Sequence, residues 1–274
     1  MPFYHPAMTP LPSRTGAPAE IGRAMWRWVT GWWQIVHLGA QLLVLALSPS
    51  SYTRANRAAM AQHIVVGTAP MLMWFTLLSS LISLVIIRIV LVTAACYGLS
   101  QYALQMVVRV LVLELIPLTA AIFVALRIGL PDGRELAVLR RRGELDALRR
   151  RGLDPLCHEV LPRVLAGAFA VLMLASVAGV VTLVLAYLTV HGFTLGGLER
   201  YTRTVGQVFT PAVTVIFAVK TLLLAVAVSL IPVASALYDS PRGGSRSSVE
   251  VRALVRLFLV MLLIEAASLV GNYY

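Results

Sequence analysis

Three ionisable residues stand where an ionisable side chain is expensive. Glu114, Lys220 and Glu265 each interrupt a long apolar block. A charge in such a setting is paired, or lines a path for something polar. For Glu114 both readings are open: an ion pair that fixes helix packing, or a direct role in moving a substrate. Arg109 lies five residues before it and Arg127 thirteen after it. Pro117, three residues on, has no N–H to donate, so it releases a backbone carbonyl and permits a kink.

Catalytic chemistry finds little to work with. His5, His37, His63, His158 and His191 are scattered, with no pair at the helical spacing of two metal ligands. No G-x-S-x-G offers a nucleophile elbow. Lys220-Thr221 lacks the preceding glycine loop of G-x-x-x-x-G-K-[ST], the device that cradles nucleotide phosphates. The expectation is therefore no enzyme, no metal and no cofactor on this chain. If ATP and Mg drive it, they sit on a separate ATPase subunit.

The elements that hold these residues are membrane helices. Hydrophobic residues make up 59% of the chain, charged residues 13%, and mean hydropathy is +0.83. Soluble domains carry roughly 45–50% apolar and about 25% charged residues. The apolar residues fall in long blocks without period-2 alternation, which predicts an all-α membrane protein and not a barrel. The net charge of +11 comes almost wholly from arginine, Lys220 being the only lysine. The arginines cluster between apolar blocks, as the positive-inside rule requires of cytoplasmic loops, so nucleic acid is not the expected partner. Cys96 and Cys157 fall on opposite sides of the membrane, and no disulfide is expected between them.

Residues 1–19, rich in proline and small residues, read as a disordered tail. Residues 20–62 read as an amphipathic helix and linker. From Ile21 to Leu47 a stripe of Arg23, Arg27, Thr30, Gln34, His37 and Gln41 runs beside Trp26, Trp32 and Trp33. Arginine and tryptophan favour the headgroup level, so an interfacial elbow helix fits, with a first transmembrane span as the alternative. Five spans follow: Ile64–Ala95, Ala103–Leu130, Val164–Val190, Phe209–Leu237 and Leu257–Val270. The first is longer than the ~20 residues needed, and so is tilted, broken or re-entrant. The arginine count places the N-terminus inside and the C-terminus outside. Between the second and third spans lies a basic cytoplasmic segment, RELAVLRRRGELDALRRRGLDPLCHEVLPR. Arg-Arg-Arg-Gly recurs at 140–143 and 149–152, while Leu136, Leu139, Leu145 and Leu148 supply an apolar face. Such a segment either anchors to anionic headgroups or docks into a groove on a cytoplasmic partner.

The same segment carries a resemblance. MlaE-type permeases have a motif like R-E-L-G-P, then A-G-R-x-G, A-E-L-G-x-M, and E-Q-I-D-A-L…G-x-D-P…P-R. Here Glu114-Leu115-Ile116-Pro117 and Ala125-Leu126-Arg127-Ile128-Gly129 stand in that order, followed by Arg134-Glu135-Leu136. Gly143 to Leu148, Gly152-Leu153-Asp154-Pro155 and Leu161-Pro162-Arg163 complete it without a gap. The departures are Leu113 before the glutamate, Ile116 for a glycine, Leu130 to Gly133 for a small-residue segment, Pro241 to Ser248 for a glycine-rich stretch, and Glu265 for a late aspartate. The sequence thus resembles a divergent member of that family, with residues 63–274 as the permease domain.

The resemblance implies a phospholipid-moving permease of the bacterial inner membrane. It would work as a homodimer, with an ABC ATPase below and a periplasmic MCE-domain protein above. Within it, residues 132–160 would hold the coupling helix. Glu135, Glu144, Leu145, Asp146, Leu148, Asp154, Pro155 and Arg163 match the family's coupling segment. Glu114, Arg109 and Arg127, with Lys220 and Glu265, would line or brace the lipid path. An ATP-independent channel or secondary transporter, and a non-transporting membrane scaffold, are the rival classes.

Overall fold

A computed structural model describes residues 17–48, 54–238 and 247–273. Eight helices are labelled here in chain order: α1 (Ala17–Leu47), α2 (Arg54–Cys96), α3 (Ser100–Arg141), α4 (Glu144–Arg150), α5 (Leu156–His191), α6 (Leu198–Val208), α7 (Pro211–Tyr238) and α8 (Ser247–Tyr273). No strand occurs among the described residues. Six of the helices are long and apolar enough to cross a membrane, α1 qualifying through Val29–Leu47. Side chains such as Trp33, Met73, Trp74, Leu81 and Leu262 are largely exposed. An apolar surface of that extent has lipid, not water, as its solvent.

α7 is the hub. From Lys220 to Ala236 most of its residues are buried, and α1, α3, α5 and α8 pack around it. Small residues allow the close approaches. A Cβ on Gly129 would stand 2.8 Å from the Val228 carbonyl oxygen, and one on Gly133 would stand 3.0 Å from that of Pro232. Pro232 has no N–H for the carbonyl four residues back, so Val228 loses its helical partner. Gly129 lays bare backbone on that freed carbonyl and Gly133 on the Pro232 carbonyl one turn further, a small-xxx-small contact typical of membrane helices. α2 runs along α5, where Ser83 and Thr182 hydroxyls hydrogen-bond at 3.0 Å in the buried seam.

α1 buries Ile35, Leu38 and Leu42, leaving Gln34 and His37 exposed on one side and Val36 and Leu43 on another. Gly39 meets Leu230 of α7, and Gly31 meets the Arg256 guanidinium of α8. Leu230 lies eight residues from the end of α7 and Arg256 nine from the start of α8. Both contacts therefore fall at one level, as an obliquely crossing helix requires. The backbone of Arg23, Trp26 and Arg27 belongs to α1, but their side chains lie outside the described residues, as do residues 1–16 of the expected tail.

Several element bounds differ from the sequence reading, for physical reasons. α3 does not stop at Leu130. It runs unbroken to Arg141, because Pro131 sits in the first α-helical turn that follows an internal π-helical stretch, where a missing N–H costs little. α2 is one continuous helix through Pro70. The connection after α5 holds a helix of its own, α6. The final helix starts at Ser247, and the turn expected from Pro241 lies largely outside the described residues. Cys96 and Cys157 form no disulfide and lie at opposite ends of the bundle.

Candidate functional site

The arginine-rich end and the far end of the bundle each carry a polar arrangement. The first to consider lies in the far half. Lys220 is nine residues into α7, about 14 Å along the helix from its far end, and Glu265 is eight residues before the end of α8. Glu114 reaches the same point from α3, where Val108–Leu115 forms a run of wide π turns. Such turns shift the register of a helix and recur at functional sites.

Lys220 is 2% exposed and its ammonium has three N–H donors. One goes to Glu114 Oε2, a second to Glu265 Oε2 at 2.6 Å, and the third to the Leu113 carbonyl at 3.3 Å. Leu113 lies in the last of the π turns before Pro117, and its carbonyl is turned to the lysine. Asn272 of α8 donates through Nδ2 to Glu114 Oε1 at 3.3 Å. Two acceptors, Glu265 Oε1 and Asn272 Oδ1, are buried with no hydrogen-bond partner among the described residues. With both carboxylates ionised, the cluster holds two negative charges against one positive.

The partners of Glu114 are thus Lys220 and Asn272, not the arginines on its own helix. Arg109 and Arg127 are exposed and form no ion pair with Glu114 among the described residues. Sequence spacing favoured them because they are near in the chain. Lys220 is 106 residues away and only the fold brings it in. Asn272 carried no sequence signal beyond being a polar residue near the end of an apolar run.

The basic end holds the second arrangement. α4 is a seven-residue helix between Gly143 (φ 72°) and Gly152 (φ 77°). Each Arg-Arg-Arg-Gly unit is a helix end, with arginines in the last turn and glycine taking the left-handed conformation that closes it. After the second, Leu153 N–H reaches the Leu148 carbonyl at 3.1 Å. Leu145 and Leu148 are half-buried, and Glu144 and Asp146 are exposed on the first turn. Asp154 accepts from the Leu156 N–H at 3.1 Å and so caps the start of α5, with Pro155 buried beside it. Arg163 is a brace and not a surface contact. It is 6% exposed, and it binds Glu159 at 2.7 Å on α5 and Glu135 at 3.5 Å on α3. Arg140 donates to the Ala236 carbonyl at 3.3 Å, and Arg134 pairs with Glu250 at 2.9 Å. These contacts tie α3 to the ends of α5, α7 and α8.

At the far end, α6 packs down onto the bundle. Tyr201 donates to the Leu183 carbonyl at 2.7 Å and stacks edge-on to Tyr187, and Gln105 of α3 donates to Gln207 at 3.2 Å. Burial pushes the Tyr201 hydroxyl up to about 12.

No individually curated protein matches the chain. A family model described as Permease MlaE matches residues 59–270, a range that holds the lysine–glutamate cluster, the glycine-bounded helix and the Arg163 brace. The chain therefore belongs to the MlaE permease family, as a membrane permease.

Proposed function

We propose that this chain is the permease subunit of an ATP-driven transporter that moves phospholipid between the bacterial inner membrane and a periplasmic MCE-domain partner. The observation that carries this is the Glu114–Lys220–Glu265 cluster. A buried charged site built by three helices, inside an apolar bundle, is what a path for a polar headgroup needs. The free acceptors Glu265 Oε1 and Asn272 Oδ1 stand ready for headgroup donors. Arg109 and Arg127, exposed on α3, would meet lipid phosphate or a second copy of the chain in a homodimer.

In this reading the basic end is cytoplasmic, as its arginines require, and the C-terminus is periplasmic. α4 is the coupling helix: Leu145 and Leu148, with Glu144 and Asp146 on its first turn, meet a cytoplasmic ABC ATPase that binds ATP and Mg. The Glu135–Arg163–Glu159 brace passes the push from α4 and the Asp154-Pro155 cap into α3 and α5. α1 is the interfacial elbow, with Arg23, Trp26, Arg27, Trp32 and Trp33 at the headgroup level.

The test is to solubilise the chain and identify by mass spectrometry what purifies with it. An ABC ATPase, an MCE-domain protein and phospholipid are expected. A chain that purifies alone and moves lipid or ions in liposomes without ATP would be a channel or secondary transporter instead.

A further inference from the structure

The lysine–glutamate cluster has spent its donors but not its acceptors. All three N–H groups of Lys220 are engaged, by Glu114, Glu265 and the Leu113 carbonyl. Asn272 gives Nδ2 to Glu114 Oε1 at 3.3 Å. Glu265 Oε1 and Asn272 Oδ1 remain as buried acceptors with no hydrogen-bond partner among the described residues. Both residues adjoin Glu114, which holds Asn272 by one oxygen and shares Lys220 with Glu265 by the other. A buried acceptor without a partner has lost its water and gained nothing in return. What completes these two is a donor.

The charges point the same way. Two ionised carboxylates share one ammonium, so the cluster carries one negative charge in excess. The carboxylates are the reachable part: each glutamate side chain is 15% exposed, against 2% for Lys220. A complementary charge stands close by. Arg109 and Glu114 both belong to the π-helical run Val108–Leu115, where hydrogen bonds join residues five apart. The backbone of Arg109 is therefore one π turn from Glu114 on the same face, towards the start of α3. Its side chain is exposed and forms no ion pair among the described residues. A cluster in need of a cationic donor, one turn from an exposed guanidinium, is complementary to a zwitterion.

We infer that the cluster is a headgroup site for a phospholipid with a primary ammonium, whose N–H groups donate to Glu265 Oε1 and Asn272 Oδ1 while Arg109 takes the phosphate. This rests on the permease reading above and adds to it which headgroup the site accepts. A choline headgroup has the right charge but no N–H, so it leaves both acceptors orphaned. A glycerol headgroup has hydroxyl donors but no positive charge to set against the carboxylates. A site built to hydrogen-bond its ligand discriminates strongly against an analogue that lacks the donor.

The test measures lipid binding to the purified full chain in detergent by native mass spectrometry. The phospholipids share one acyl composition and differ only in headgroup: ethanolamine, N,N-dimethylethanolamine, choline or glycerol. The ethanolamine lipid binds on the order of tenfold more tightly than the choline and glycerol lipids, about the worth of one charge-assisted hydrogen bond, with the dimethyl lipid between. Asn272→Leu removes most of that preference, and Arg109→Gln weakens all of the lipids alike. Thermal unfolding shows whether each variant is folded, and the headgroup series on the unaltered chain decides the matter where one is not. A choline lipid bound as tightly as the ethanolamine lipid means that charge alone is read, and overturns the inference. A full preference kept by a folded Asn272→Leu chain overturns it too, since the orphaned acceptors then play no part. Equal binding of every headgroup, or preference for glycerol, sinks the inference and leaves the permease reading standing. No phospholipid bound under any condition sinks both.

Discussion

Replacing Lys220 with methionine removes the cation that pairs with Glu114 and Glu265 while keeping the length of the side chain. At the 2.6 Å separation from Glu265, an effective dielectric near 20 gives ~6 kcal/mol of attraction for that pair. Much of this offsets the desolvation of the three groups, so the net worth of the cluster is small. Its breakage is not small. Two carboxylates, each 15% exposed, are left facing one another without a cation. Removing one partner of a buried pair costs about 3–5 kcal/mol. For a chain of this size that corresponds to a fall in melting temperature of roughly 6–20 °C. Neutralising the acids as well, with Glu114→Gln and Glu265→Gln added to Lys220→Met, removes the repulsion and restores most of that loss. Thermal unfolding in detergent or nanodiscs reads the series. A single variant as stable as the parent, or a triple variant no better than the single, would refute the charge-balance reasoning. The triple variant also separates the two roles left open for Glu114. A folded triple variant that no longer moves lipid assigns the cluster to transport, and one that moves lipid normally makes it a packing device.

Three further outcomes follow from the geometry. Gly129→Ala places a methyl 2.8 Å from the rigid Val228 carbonyl and costs about 1–3 kcal/mol, read as a lower melting temperature; Gly167→Ala, whose neighbour at 2.7 Å is the Ser229 hydroxyl, costs less. Gly143→Ala and Gly152→Ala meet open space but force an L residue to positive φ, so each costs roughly 1 kcal/mol, and ATPase coupling suffers more than stability does. Tyr201→Phe removes the hydrogen bond to Leu183 and costs about 0.5–1.5 kcal/mol. The raised Tyr201 hydroxyl means that the folded state holds this proton more tightly than the unfolded one. Its contribution is therefore intact below pH 10 and is lost as pH climbs from about 10 towards 12, and proteolysis of the α6 connection at rising pH monitors that loss.

How much of this was legible in the sequence differs from element to element. Long apolar blocks and arginine placement predict the all-α membrane class, because both follow from the solvent alone. Glu114, Lys220 and Glu265 stand out singly, since each breaks an apolar run. Their union does not, because it depends on α3, α7 and α8 meeting at one level. Arg109 and Arg127 looked like partners by chain proximity, yet they face outwards. Pro117 signals a kink, but only the fold brings the nearby Leu113 carbonyl to Lys220. The Arg-Arg-Arg-Gly repeat stands out in the sequence, but only the structure shows that each of its glycines closes a helix. α6 was missed: its eleven residues are too polar for a span and too short to advertise a helix within a connection. Arg163 read as a contact for a partner, and the structure turns it inwards, where two carboxylates of neighbouring helices hold it.

The most direct test of the central claim is lipid transfer from proteoliposomes that contain the chain with its co-purified ATPase, measured with ATP and with a non-hydrolysable analogue. The account predicts transfer of labelled phospholipid that requires ATP hydrolysis and is abolished by the stable triple variant at Lys220, Glu114 and Glu265. Transfer that proceeds equally with the analogue, or that the triple variant leaves unchanged, would contradict it.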